Sequence, residues 1–292
     1  MTKHIAFVGL GAMGSAMSAN LLRAGFTVAG YDMNRRAVEA LGAQGGVAAE
    51  SAAAAAREAD VLILMVVNTA QARAVLFEQG ALDALPAGGA VCLMATCPPD
   101  EVRALAREVT AQSKVFVDCP VSGGVAGARA ASLTILVAAP LGDLEGLRAV
   151  FEAMGKRIFH VGTEAGQGAS VKAINQVLCG VHIAAAAEAL ALGERAGLDP
   201  EIVLEILSGS AAGSWMLSDR GPRMLQDTPE VTSAIDIFVK DLGIALETGR
   251  AAKMGLPLAS IAMQLFLAES AAGGGRDDDS QVIRAYRRLN GL

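Results

Sequence analysis

The most constraining feature of the chain lies in its first 32 residues. An apolar run, Ile5-Ala6-Phe7-Val8, passes into Gly9-Leu10-Gly11-Ala12-Met13-Gly14, and a helix-like stretch over residues 12–24 is closed by Gly25. Apolar residues return over 27–31 and stop at Asp32. A short apolar run without alternation reads as a strand buried on both faces. Strand, glycine loop, helix and strand within about 30 residues make one βαβ unit. Gly9, Gly11 and Gly14 in that setting, with a carboxylate about 20 residues further on, match the fingerprint of a dinucleotide site. The glycines allow a tight turn and a close backbone approach, and the helix N-terminus meets the negative charge of a pyrophosphate. The Asp32 carboxylate would accept from ribose hydroxyls and repel a 2′-phosphate, which favours NAD. Arg35 and Arg36 keep NADP open; their other reading is as exposed residues of a first helical turn.

The alternation continues. Strands are expected at residues 61–67, 90–95, 115–118, 133–138 and 158–161, with helices near 34–41, 70–77, 100–111 and 144–154. This predicts an α/β class, with a doubly wound Rossmann sheet over residues 1–163. Residues 121–131, rich in Gly and Ala without apolar periodicity, read as a functional loop. Beyond 163 no strand is expected. A long Ala-rich helix fits 167–196, ended by Gly197, and Asp199-Pro200 caps and opens the next. Further helices fit 234–253, 258–271 and 280–289, the last preceded by Asp278 and Gln281 at capping-box spacing. Residues 164–292 therefore read as an all-helical second domain.

Composition excludes several classes. Hydrophobic residues make up 53% and charged residues 18%, so a folded core is expected rather than disorder. The net charge is −6 and no basic stripe is present, which argues against nucleic acid as a partner. Cys92, Cys97, Cys119 and Cys179 form no CxxC and have no histidines at metal-ligand spacing. Scattered cysteines suit a reducing compartment. No cleavage site follows the N-terminal apolar run, and no segment reaches the ~18 apolar residues of a membrane span. A cytoplasmic protein with no metal and no membrane partner is expected.

Three constellations could carry chemistry. In Asp118-Cys-Pro-Val-Ser-Gly-Gly124 a strand breaks at a proline, and the backbone N–H groups of Ser122, Gly123 and Gly124 with the Ser122 hydroxyl could hold a carboxylate; an ordinary loop is the other reading. On a helix, Lys172, Asn175, Gln176 and Cys179 share one face, and the sequence beyond is mostly apolar. A lysine near a core or cleft loses preference for its charged form, which suits proton transfer near neutral pH; a lysine snorkelling from the helix start is the alternative. Lys240, in Asp236-Ile-Phe-Val-Lys-Asp-Leu242, reads from spacing alone as an ion-paired residue on a solvated helix face. Trp215 reads as a core side chain more readily than as a pocket wall, and His182 as an interface or core histidine.

These constellations occur in the same order as in the β-hydroxyacid dehydrogenase family, which includes 3-hydroxyisobutyrate dehydrogenases and tartronate semialdehyde reductases. The chain resembles that family over nearly its full length. The resemblance implies a Rossmann domain, a helical domain for substrate and assembly, NAD as cofactor, a small hydroxy acid as substrate, and a homodimer or homotetramer. It assigns Gly9, Leu10, Gly11, Ala12, Met13, Gly14, Asp32, Val66, Val67, Thr96 and Lys240 to the cofactor. Ser122, Gly123, Gly124 and Gln176 go to the substrate, and Lys172 and Asn175 to catalysis. The family often has a second asparagine where this chain has Gln176, a departure that bears on substrate positioning. Val181–Ala189, 213–216, 236–242 and 277–280 resemble a branch acting on a four-carbon sugar acid. A semialdehyde reductase and a non-catalytic cofactor-binding module are the rival readings. Lys172 argues against the module, and the short helical part argues against a 6-phosphogluconate dehydrogenase-like decarboxylase.

Overall fold

The computed structural model describes residues 3–292, and the chain divides into two compact units, Met1–Lys172 and Ala173–Leu292. The first unit is an alternation of strands and helices. It runs β1 (His4–Val8), α1 (Ala12–Arg23), β2 (Thr27–Tyr31), α2 (Arg35–Ala43), β3 (Val47–Ala48), α3 (Ala52–Ala56), β4 (Val61–Leu64), α4 (Thr69–Arg73), α5 (Ala81–Ala84), β5 (Ala90–Leu93), α6 (Pro99–Thr110) and β6 (Val115–Asp118). It continues through β7 (Val121–Ser122), α7 (Gly124–Arg129), β8 (Leu133–Ala138), α8 (Leu141–Glu152) and β9 (Gly155–Gly162). The strands lie in the order β3-β2-β1-β4-β5-β6-β8-β7, with β9 on β8. The first six positions are those of a doubly wound dinucleotide-binding sheet, as the alternation predicts.

Burial explains why short apolar runs became strands here. β4 and β5 are buried along their whole length. Ile5 and Phe7 project into one apolar layer with Met17, Leu21 and Val28. Ala6 and Val8 project into the other with Leu62, Leu64 and Val91. The period-2 geometry of a strand thus feeds a core on each face of the sheet.

Several local expectations need correction. β4 and β5 stop at Leu64 and Leu93, so Val66, Val67 and Thr96 lie in loops beyond the strand ends. Residues 121–131 are not a bare loop, because they hold β7 and α7. β8 pairs antiparallel with β6 and β7, and parallel with β9. Strand direction depends on partners far away in sequence, so the apolar run at 133–138 could show the strand but not its sense.

The second unit contains helices without sheet among the described residues: the body of α9 (Gln167–Arg195), α10 (Pro200–Ser208), α11 (Trp215–Met224), α12 (Ile235–Ala251), α13 (Pro257–Glu269) and α14 (Ile283–Asn290). Asp199 accepts from the N–H groups of Glu201 and Ile202, the cap expected for α10. Ile183, Leu190, Phe238, Leu242 and Phe266 form the core, with the Phe238 and Phe266 rings stacked 5.1 Å apart. α11 was not expected, since Pro222 sits inside it. The buried Arg220 on α11 makes two bonds to Asp279, at 2.9 and 3.0 Å. Arg223 donates to Asp278 at 3.0 Å. Asp278 and Gln281 do not form a capping box: Gln281 donates to the carbonyls of Arg223 and Gln226, and Asp278 also holds the N–H of Thr232. Contrary to expectation, α9 has the length and apolar composition to cross a membrane, but half of that stretch is buried inside the protein.

Candidate active site

The glycine loop leaves the C-terminal end of β1 at the centre of the sheet. Gly9 adopts φ +97° and donates its N–H to the Tyr31 carbonyl at 3.0 Å. A Cβ at Gly14 would overlap the carbonyl oxygen of Gly9, so α1 packs against the loop only because that side chain is missing. A Cβ at Gly11, in contrast, would meet nothing within 4 Å. Gly11 is also the N-terminal cap of α1, and no described side chain caps that end. An open approach over the first N–H groups of a helix is a cradle for a pyrophosphate. Asp32 ends β2, and its Oδ2 accepts the Leu10 N–H at 2.7 Å while Oδ1 accepts the Asn34 N–H. The carboxylate thereby ties the loop to the end of β2, and these residues fit a dinucleotide. Arg35 is exposed and pairs with Glu39 at 3.2 Å.

The other strand tips lie beside this loop. Gly9 packs on the backbone of Met65 and Val66 just past β4, and Val67 follows in the same loop. Thr96 follows β5, the neighbour of β4. Ser122 follows β6 and pairs with Thr134 of β8. Gly123 and Gly124 take φ +129° and +60°, values open to few other residues, and turn the chain into α7.

Lys172 lies in the second turn of α9 and is 7% exposed, the one lysine among the described residues with so little contact with water. One turn on, Asn175 Nδ2 donates to Gln176 Oε1 at 2.8 Å and approaches Cys179 Sγ at 3.2 Å. Gln176 Nε2 donates to Asp241 Oδ2 at 2.6 Å, and Lys240 Nζ donates to Asp241 Oδ1 at 2.6 Å. Both oxygens of the buried Asp241 are therefore engaged, one with each helix. Lys240 is mostly covered and ion-paired, not part of a solvated face. The departure at Gln176 acquires a physical meaning: its longer amide reaches α12 and closes the network through Asp241.

Two acids escaped the reading of the sequence. Asp241 looked like half of a surface Lys-Asp pair, but it is buried and accepts from Gln176, 65 residues away. Asp118 is 1% exposed and accepts the N–H groups of Gly166 and Ala169 at 2.8 and 3.0 Å. Burial pushes its carboxyl up to about 6, against those bonds and the Arg103 charge. Trp215 is 54% exposed, with the Arg220 guanidinium 5.9 Å from its ring centroid. It opens α11 at the surface instead of filling the core.

Comparison with known proteins follows this geometry. Residues 4–162 match the NAD binding domain of 6-phosphogluconate dehydrogenase, and residues 166–286 match the NAD-binding domain of NADP-dependent 3-hydroxyisobutyrate dehydrogenase. The chain is 42% identical over 287 residues to L-threonate dehydrogenase of Cupriavidus necator, covering 98% of this chain and 97% of that protein. It is 37% identical to L-threonate dehydrogenase of Escherichia coli, covering 97% and 94%. A crystal structure of 3-hydroxyisobutyrate dehydrogenase from Salmonella typhimurium superposes with a TM-score of 0.91 at 38% identity, covering 97% of this chain and 99% of that one. With a glycine loop, an acid at the end of β2 and a helical second unit all in place, the chain belongs to the 3-hydroxyisobutyrate dehydrogenase-like family of NAD-dependent hydroxy acid dehydrogenases.

Proposed function

We propose that this protein oxidises L-threonate to 2-oxo-tetronate with NAD⁺, using Lys172 as the base. The observation that carries the chemistry is the burial of that lysine in the second turn of α9. The substrate rests on the two relatives named L-threonate dehydrogenase, each matched along almost the whole chain. Bound NAD⁺ supplies the hydride acceptor. Gly9 to Gly14 cradle the pyrophosphate, Asp32 takes the ribose hydroxyls, and Val66, Val67, Thr96 and Lys240 complete the cofactor contacts. Ser122 and the N–H groups of Gly123 and Gly124 bind the substrate carboxylate. Burial favours the uncharged form of an amine, and Lys172 Nζ in that form removes the proton of the substrate hydroxyl. Asn175 orients the reacting hydroxyl, and Gln176, held by Asp241, shapes the substrate position. Residues 1–163 act as the cofactor domain and residues 164–292 as the domain for substrate and assembly.

The protein works in the cytoplasm as a homodimer or homotetramer. Cys92, Cys97 and Cys119 are buried thiols, in keeping with a reducing compartment. Ile174, Leu178 and Leu192 leave an apolar exposed side on α9 that a second copy would cover.

An initial-rate screen tests the substrate. L-threonate with NAD⁺ should exceed D-erythronate, 3-hydroxyisobutyrate and L-serine in kcat/KM by about tenfold or more, a ratio worth ~1.4 kcal/mol in the transition state. The likeness to the Salmonella structure favours 3-hydroxyisobutyrate as the second reading. A preference for that acid in the screen would replace threonate.

A further inference from the structure

The first turn of α9 is anchored from outside the helix. Asp118 ends β6, and its Oδ2 accepts the N–H groups of Gly166 and Ala169, 48 and 51 residues further along the chain. The same turn presses close on the strand end. A Cβ at Gly168 would lie 2.9 Å from the Asp118 carbonyl oxygen, 3.0 Å from its carboxyl carbon and 2.8 Å from the Leu136 carbonyl oxygen. Gly168 and Lys172 stand four residues apart on one face of α9, and helical side chains lean back toward the N-terminus. Lys172 is thus mounted on the turn that Asp118 holds. On its other side Asp118 leads through Cys119 and Pro120 into β7 and Ser122. One carboxylate links the lysine-bearing helix to the strand that delivers the Ser122 loop.

We infer that Asp118 is a positioning residue for Lys172, fixing where the amine stands relative to the Ser122 loop by pinning the start of α9 to the tip of β6. The inference rests on Lys172 being the base. A cap kept for stability alone would not need a charge that the fold resists, and burial raises this carboxyl against the pull of Arg103 on α6, with the buried Cys119 as its titratable neighbour. When ionised, the carboxylate is a charged acceptor and holds the two N–H groups more firmly than a neutral one.

Asp118→Asn separates positioning from folding. Its kcat should fall about tenfold or more, the scale of a misplaced catalytic group. KM and the Kd for NAD⁺ should stay within about twofold, and the melting temperature at pH 7.5 should not drop, because a disfavoured buried charge has been removed. The protein has six lysines, so [ε-¹³C]lysine labelling gives a readout independent of substrate, with the Lys172 signal assigned by its loss in Lys172→Ala. In Asp118→Asn that signal should move while the other five stay. In the wild type it should also move as pH crosses about 6, a measurement that needs no variant to fold. An unmoved Lys172 signal with wild-type kcat would overturn the inference. So would a loss of kcat matched by a lower melting temperature and weaker NAD⁺ binding. If the wild type oxidises none of the acids in the screen, the substrate reading fails, and the lysine signal alone decides the role of Asp118.

Discussion

A single atom decides the most at Gly14. Its missing Cβ lets α1 lie on the Gly9 carbonyl, so Gly14→Ala should weaken NAD⁺ binding by about tenfold or more and lower the melting temperature. Isothermal titration and a thermal scan would show both, and wild-type binding in that variant would contradict the packing account. Asp118 makes a second prediction at this scale. Its carboxyl titrates near 6 in the folded protein, above its ordinary value of 3.8. Between those values the folded state holds a proton that the unfolded chain has lost, so this group's contribution to stability falls as pH rises from about 4 to about 6. The full swing is about 3 kcal/mol. Urea denaturation against pH should show that slope in the wild type and lose it in Asp118→Asn. How legible each residue was follows from where its partners lie. Gly9 and Gly14 meet within one short loop, and the spacing of Gly9, Gly11 and Gly14 revealed them. Asp118 and Asp241 act across 48 to 65 residues, and nothing beside them in sequence marks them as buried.

At the level of elements, continuous apolar runs revealed β1, β4, β5 and β6, because strands buried on both faces need no alternation. β3 is two residues long, and α7 is built from Gly and Ala, so neither offers a period to read. α11 contains Gly221-Pro222, which sequence rules take as a break. It persists through its ion pairs, with Arg220 buried against Asp279 and Arg223 against Asp278. Asp279→Ala would leave the buried Arg220 guanidinium with Asp219 as its carboxylate partner, and should cost about 3–5 kcal/mol in urea denaturation. The exposed pair between Arg148 and Glu145 on α8 should give almost no change when cut. Equal losses at the two sites would mean that α11 is held by something other than these pairs.

For the whole molecule, the order of motifs carried more information than any one of them. A glycine loop followed by an acid, a Ser-Gly-Gly turn, a buried lysine opening a long helix and a Lys-Asp pair on a later helix define the family along nearly the full chain. What the motifs could not supply is the substrate, since selectivity among small hydroxy acids depends on side chains brought together only by folding. The chemistry common to all of those substrates is removal of a hydroxyl proton as hydride departs, and here it is assigned to one amine. The most direct test is the steady-state turnover of L-threonate by Lys172→Ala, measured beside its NAD⁺ affinity. Loss of a general base predicts a kcat lower by about 10²–10⁴-fold with NAD⁺ affinity kept; turnover close to that of the wild type would contradict it.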